Sequence, residues 1–178
     1  MRRTILILAS MAVVLVLASS AAFALLSTGG GGPIQRVAIA RENAGTPNTV
    51  RNTEFLDVPG AELQVSVPPG AQSRLVMARF SAESVCSGGT GPQACYLRIV
   101  ARKTPTGPII AELQPSGGTR FDSTNAGSET LSSWESHSMD KSLRFAEGDY
   151  TVSVQQRVTD SHVRFALNNW SFTVEQSQ

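Results

Sequence analysis

The stretch SVCSGGTGPQACYLRIV (residues 84–100) decides how the chain is read. It holds the two cysteines of the protein, Cys86 and Cys95, separated by three glycines, a proline and no charge. The run before it, SRLVMARFSAESV (73–85), places Val76, Ala78, Phe80 and Ala82 on one side and Arg79 and Glu83 on the other. The run after it, CYLRIVAR (95–102), places Cys95, Leu97 and Ile99 opposite Arg98 and Arg102. That period of two is a strand period. The two thiols therefore stand at the ends of two strands joined by a soft loop. A redox pair carries two residues between its cysteines, whereas here there are eight. The expectation is a structural disulfide closing a loop of ten residues. By chain entropy such a loop contributes roughly 2.5–3 kcal/mol. Glycine costs more entropy to order than any other residue, so a loop this rich in it gains from a staple.

Working outward, short alternating runs follow one another. They are TEFLDV (53–58), ELQVSV (62–67), IIAELQ (109–114), RFDS (120–123), LSSWESHSM (131–139), SLRF (142–145) and YTVSVQQRV (150–158). Pro59–Gly60, Pro68–Pro69–Gly70, TPTGP and PSGG punctuate them. In YTVSVQQRV, Tyr150, Val152 and Val154 point inward, with Thr151, Ser153 and Gln155 outward. The last run, HVRFALNNWSFTVEQ (162–176), changes parity: Val163, Phe165 and Leu167 alternate on one set of positions, and Trp170, Phe172 and Val174 on the other. One apolar face cannot contain both sets unless an extra residue resets it, and Asn168–Asn169 is the natural place for a β-bulge. Turn signals recur about every 8–12 residues, the spacing of a sandwich or barrel. The predicted fold is all-β: an antiparallel β-sandwich, jelly-roll or immunoglobulin-like, of about eight to ten strands.

The N-terminus reads as an export signal. MRR is a basic n-region, TILILASMAVVLVLA an apolar h-region, and SSAAFA closes it with Ala22 and Ala24 in an A-x-A pattern. Cleavage after Ala24 would leave Leu25 as the mature N-terminus. The alternative is an uncleaved anchor to Leu26, since 22 uncharged residues from Ile5 are long enough to span a bilayer. The expected organisation is a signal over 1–24, a glycine-rich tether and N-terminal segment over 25–47, and a β-sandwich over 48–178. Either leader sends the domain out of the cytosol, where a disulfide persists. The expected location is secreted, or held on the outer face of the cytoplasmic membrane, with membrane contact only through an uncleaved N-terminal segment. Without Arg2 and Arg3 the chain carries 13 basic and 14 acidic residues, which gives nucleic-acid binding no electrostatic support.

AEGDYTVSV (146–154) resembles the G-x-Y-x-V strand start of bacterial immunoglobulin-like and jelly-roll modules, in which the tyrosine packs at the edge of the core. The segment VPGAELQVSVPPGAQSRLVMARFSAES (58–84) and the leader are similar to those of exported actinobacterial proteins. These resemblances imply a sandwich and export, and they carry over no functional residue.

Candidate chemistry gathers in two places. SSWESHSMDKS (132–142) places Glu135 and His137 on one side of a strand beside Trp134, a set that could bind a ligand. The competing reading is the polar outer face of a half-exposed strand. FDSTNAGSE (121–129) offers Asp122, Asn125 and Glu129, oxygen donors of the kind calcium takes, although the EF-hand pattern fails. These are also ordinary turn residues. His162 has no motif around it and reads as a surface residue, and Trp170 reads as core. No nucleophile elbow or phosphate loop occurs in the exported part, and no cofactor is expected. The expected function is a non-enzymatic binding or scaffold protein at the cell surface, with a glycan or a protein as partner. A carbohydrate-binding module is the second reading. An extracellular hydrolase with dispersed carboxylates is the third.

Overall fold

A computed structural model describes residues 33–42 and 47–177. The leader, its cleavage site and most of the glycine-rich tether lie outside the described residues. Among those described, no helix is long and apolar enough to cross a membrane.

Ten strands form two antiparallel five-stranded sheets. The first sheet contains β1 (Ile34–Arg41), β2 (Asn48–Val50), β4 (Arg74–Gly88), β8 (Glu135–Phe145) and β10 (Val163–Ser177). Its order is β1-β10-β4-β8, with β2 pairing a further part of β10. The second sheet runs β3-β9-β5-β6, with β7 also on β5. Here β3 is Leu56–Val67, β5 Ala94–Arg102, β6 Ile109–Glu112, β7 Thr119–Ser123 and β9 Gly148–Val158. The sheets close over one apolar core, in which Phe80, Leu97, Ile99, Phe165 and Phe172 are fully buried. Burying each such side chain contributes about 1.5–3 kcal/mol.

The parity change in β10 is a bulge. Asn168 faces Glu83 and Ser171 faces Ser81, so three steps on β10 oppose two on β4. Asn169 takes the left-handed backbone there, with φ 49°, a conformation asparagine tolerates better than most residues. The reset brings Val163, Phe165, Leu167, Trp170, Phe172 and Val174 into one core.

Several sequence expectations are corrected. TEFLDV and ELQVSV are one strand, β3, and not two. Pro59–Gly60 is absorbed as a bulge in which five steps from Asp57 to Glu62 face two on β9. LSSWESHSM and SLRF likewise merge into β8, but only from Glu135, so Trp134 precedes the strand. The outward residues of β9 are not exposed: Thr151, Ser153 and Gln155 are as buried as their inward neighbours. β9 is a central strand, and long polar side chains from its neighbours lie across it. The Arg102 guanidinium donates to Ser153 Oγ at 2.5 Å and to Asp57 at 3.1 Å, Arg98 donates to Gln155 at 2.8 Å, and Gln64 donates to Thr151 at 3.0 Å.

The disulfide between Cys86 and Cys95 is present, fully buried, with Cα atoms 5.9 Å apart. Its strands are consecutive but not paired: β4 belongs to the first sheet and β5 to the second. The staple therefore ties sheet to sheet through the core. Tyr150 is buried at the start of β9, and its hydroxyl donates to the Ala146 carbonyl at 3.1 Å.

Candidate functional site

One rim of the sandwich departs from the apolar-in, polar-out pattern. It is built from β7, the segment 124–134, the start of β8 and the stapled ends of β4 and β5. β7 pairs β5 with a register shift, such that Asp122 faces Cys95 and Arg120 faces Tyr96. Two steps on β7 thus oppose one on β5. This bulge lets two successive side chains, Phe121 and Asp122, both turn inward and become buried.

On the facing sheet, His137 pairs with Ala82 and Glu135 with Ser84. Directly opposed residues share a face, and Ala82 lies on the face of Phe80 and Ala78, all three in the core. Glu135 and His137 therefore sit on the inner face of their sheet, at its end, and not on the outer face.

The two sheets bring Asp122, Glu135 and His137 together, each offering a ligand atom within 4.8 Å of the others. His137 Nε2 lies 3.3 Å from Glu135 Oε2 and 3.9 Å from Asp122 Oδ1, without a hydrogen bond to either. Asp122 is fixed from behind. Its Oδ2 accepts from the buried Ser84 hydroxyl at 2.5 Å, and its Oδ1 accepts from the Ser123 N–H at 2.7 Å. The Phe121 ring meets the imidazole edge-on at 5.5 Å.

Glu129 lies within electrostatic reach of this trio and is 9% exposed. Its Oε1 accepts from the Asn125 amide at 2.6 Å. Burial, and then the neighbouring Asp122 carboxylate, push the Glu129 carboxyl above its ordinary pKa range, against weaker opposition from the Cys86 N–H and His137.

The calcium set read from sequence is thus divided. Asp122 belongs to the cluster, whereas Asn125 and Glu129 bond to each other, the Asn125 amide donating to Glu129 Oε1. Trp134 lies just before β8 and is 37% exposed, with Leu131 exposed nearby in sequence. His162 is a surface residue paired with Asp160 at 2.8 Å. This pairing holds the Asp160 carboxyl below its ordinary range, chiefly through the His162 backbone N–H.

Beside Ser123 and Asn125 lies a shallow pocket of about 170 Å³. Tyr96, Arg120, Gln93, Asn125 and Thr159 line it. Of these the sequence marked Asn125; Arg120, Gln93, Thr159 and, in the cluster, Ser84 were not singled out as site residues. These residues come from separate strands and loops, and nothing in their local patterns marks them.

No family model and no curated protein matches the chain. Similarity to solved structures is distant. Dimeric latent PorU from Porphyromonas gingivalis is 10% identical, with 84% of this chain and 14% of that one covered and a TM-score of 0.43. The CBM22-1 xylan-binding domain of Paenibacillus barcinonensis Xyn10C is 10% identical, with 83% and 97% covered and a TM-score of 0.32. The CBM22-1–GH10 portion of Clostridium thermocellum Xyn10B is 10% identical, with 78% and 29% covered and a TM-score of 0.27. The chain thus spans only a small part of PorU. At these identities and scores the likeness carries no ligand or activity to this chain.

Proposed function

We propose that this chain is an exported, non-enzymatic β-sandwich that binds a ligand at the cell surface, and that the rim beside β7 is its binding site. The observation that supports this reading is where the unusual side chains fall. Trp134 is exposed, while Tyr96, Arg120, Gln93 and Asn125 converge on one shallow pocket. A few converging polar groups around an aromatic ring are what a ligand site needs for orientation. A buried inter-sheet disulfide suits an oxidising compartment, and the leader read over 1–24, or an anchor to Leu26, would deliver the domain there. The test is saturable binding of the purified exported chain to envelope preparations from its own cells. Tyr96→Ala and Arg120→Ala should reduce that binding at least about tenfold. Equal binding by both variants would remove the rim from the account.

A second reading, a carbohydrate-binding module, is favoured by one further observation. Tyr96 offers ring surface beside the planar polar groups of Arg120, Gln93 and Asn125. The pocket is smaller than the roughly 300 Å³ of an enclosed ligand site, so a sugar would lie across it. Titration with soluble polysaccharides, followed by tryptophan fluorescence and repeated with Trp134→Ala, separates this reading from protein binding.

A further inference from the structure

The geometry points to a divalent-cation site of the zinc type at Asp122, Glu135 and His137, with the Glu129 carboxyl within electrostatic reach. It stands on observations separate from the ligand-binding reading above.

The distances fit such an ion. Zinc takes imidazole nitrogen and carboxylate oxygen at about 2.0–2.2 Å in a tetrahedron, which sets neighbouring donors roughly 3.4 Å apart. His137 Nε2 stands 3.3 Å from Glu135 Oε2 and 3.9 Å from Asp122 Oδ1, so two of the three edges are already near that length. At neither contact does the geometry make a hydrogen bond, and Nε2 is buried without a partner. A ring nitrogen this close to two carboxylate oxygens without bonding to either is spaced as one donor of a shared cation.

The second observation is Glu129. It is nine-tenths buried, and its carboxyl lies within electrostatic reach of Asp122, Glu135 and His137. Among the described residues, no lysine or arginine acts on that carboxyl. The buried carboxyls of Asp122 and Glu129, together with Glu135, leave negative charge at a place where water is scarce. A bound cation offsets that charge, and an imidazole in the donor set favours zinc over calcium, which takes oxygen ligands.

The supporting shell is also of the expected kind. A ligating carboxylate is normally hydrogen-bonded from behind, and Asp122 Oδ2 is held by the fully buried Ser84 hydroxyl. Asp122 lies on β7 of one sheet, while Glu135 and His137 lie on β8 of the other. A cation here would join the sheets a second time, near the disulfide.

The test uses the full exported chain and zinc chloride alone, followed by isothermal titration and by thermal melting. We expect one zinc per chain and a raised Tm that a chelator reverses. His137→Ala should abolish uptake. Glu135→Gln, at a half-exposed position that does not threaten the fold, should weaken uptake about tenfold or more. Ser84→Ala should weaken it by about 10–100-fold while leaving the stoichiometry at one. His162→Ala, at the exposed pair with Asp160, should change nothing. Absence of zinc uptake would overturn the inference, because the trio would then be an ion pair of a protonated imidazole. Uptake that survives His137→Ala, or calcium binding as tightly as zinc, would overturn it equally.

Discussion

β10 and the rim around Asp122 both contain a bulge, and they use it in opposite ways. In β10 the extra residue repairs the core: without it, Trp170, Phe172 and Val174 would face solvent, and with it they join Phe165 and Leu167 inside. In β7 the extra residue breaks the core pattern: it turns Asp122 inward next to Phe121, so that a carboxylate enters a space that alternation alone would leave apolar. One device thus serves packing in one place and chemistry in the other. Stability should concentrate along β10, whereas the rim can change with little effect on the fold.

The largest expected effect tests the β10 side. Trp170 is 5% exposed, stacks on Phe80 at 6.0 Å and lies over Gly60. Trp170→Ala should cost about 3–5 kcal/mol in urea melts. The staple comes next. Replacing Cys86 and Cys95 by serine should cost roughly 2–4 kcal/mol and leave the far-ultraviolet circular dichroism unchanged. Intact mass before and after reduction should differ by two hydrogens in the parent protein.

How much of this could be read in the sequence divides along the same line. The β10 bulge was legible because six large apolar residues switch parity across Asn168–Asn169, and period two then requires a bulge or a bend between two strands. The cysteine pair was legible because no other thiol competes with it. That the bond crosses between sheets was not legible, since consecutive strands in a sandwich can belong to either sheet. The rim was visible only in parts. Glu135–His137 and Asp122–Glu129 each stood out locally, yet their meeting depends on sheet stacking and on the one-residue shift of β7. Ser84 shares the parity of Ala78, Phe80 and Ala82, so its inward direction was legible, but its partner Asp122 comes from the other sheet and left no mark in the local pattern. Trp134 was placed on a strand face because serines alternate around it, but β8 begins one residue later.

A smaller effect sharpens the role of the bulge itself. Asn169 adopts φ 49° and donates to Glu83 at 2.7 Å. Asn169→Val should cost about 1–2 kcal/mol, since a β-branched residue resists the left-handed region. Asn169→Gly should stay within about 1 kcal/mol of the parent. Equal costs for valine and glycine would show that the hydrogen bond to Glu83, and not the backbone, sets the requirement.

The smallest expected effect is also the most direct measurement, because it compares the two tryptophans within one experiment. Urea unfolding midpoints of Trp134→Ala and Trp170→Ala, taken side by side with the parent, test whether the rim is separable from the core. The account predicts that Trp134→Ala stays within about 1 kcal/mol of the parent while Trp170→Ala loses about 3–5 kcal/mol. Comparable losses in both variants would contradict it, because Trp134 would then be part of the packing and the rim would not be free to serve a ligand.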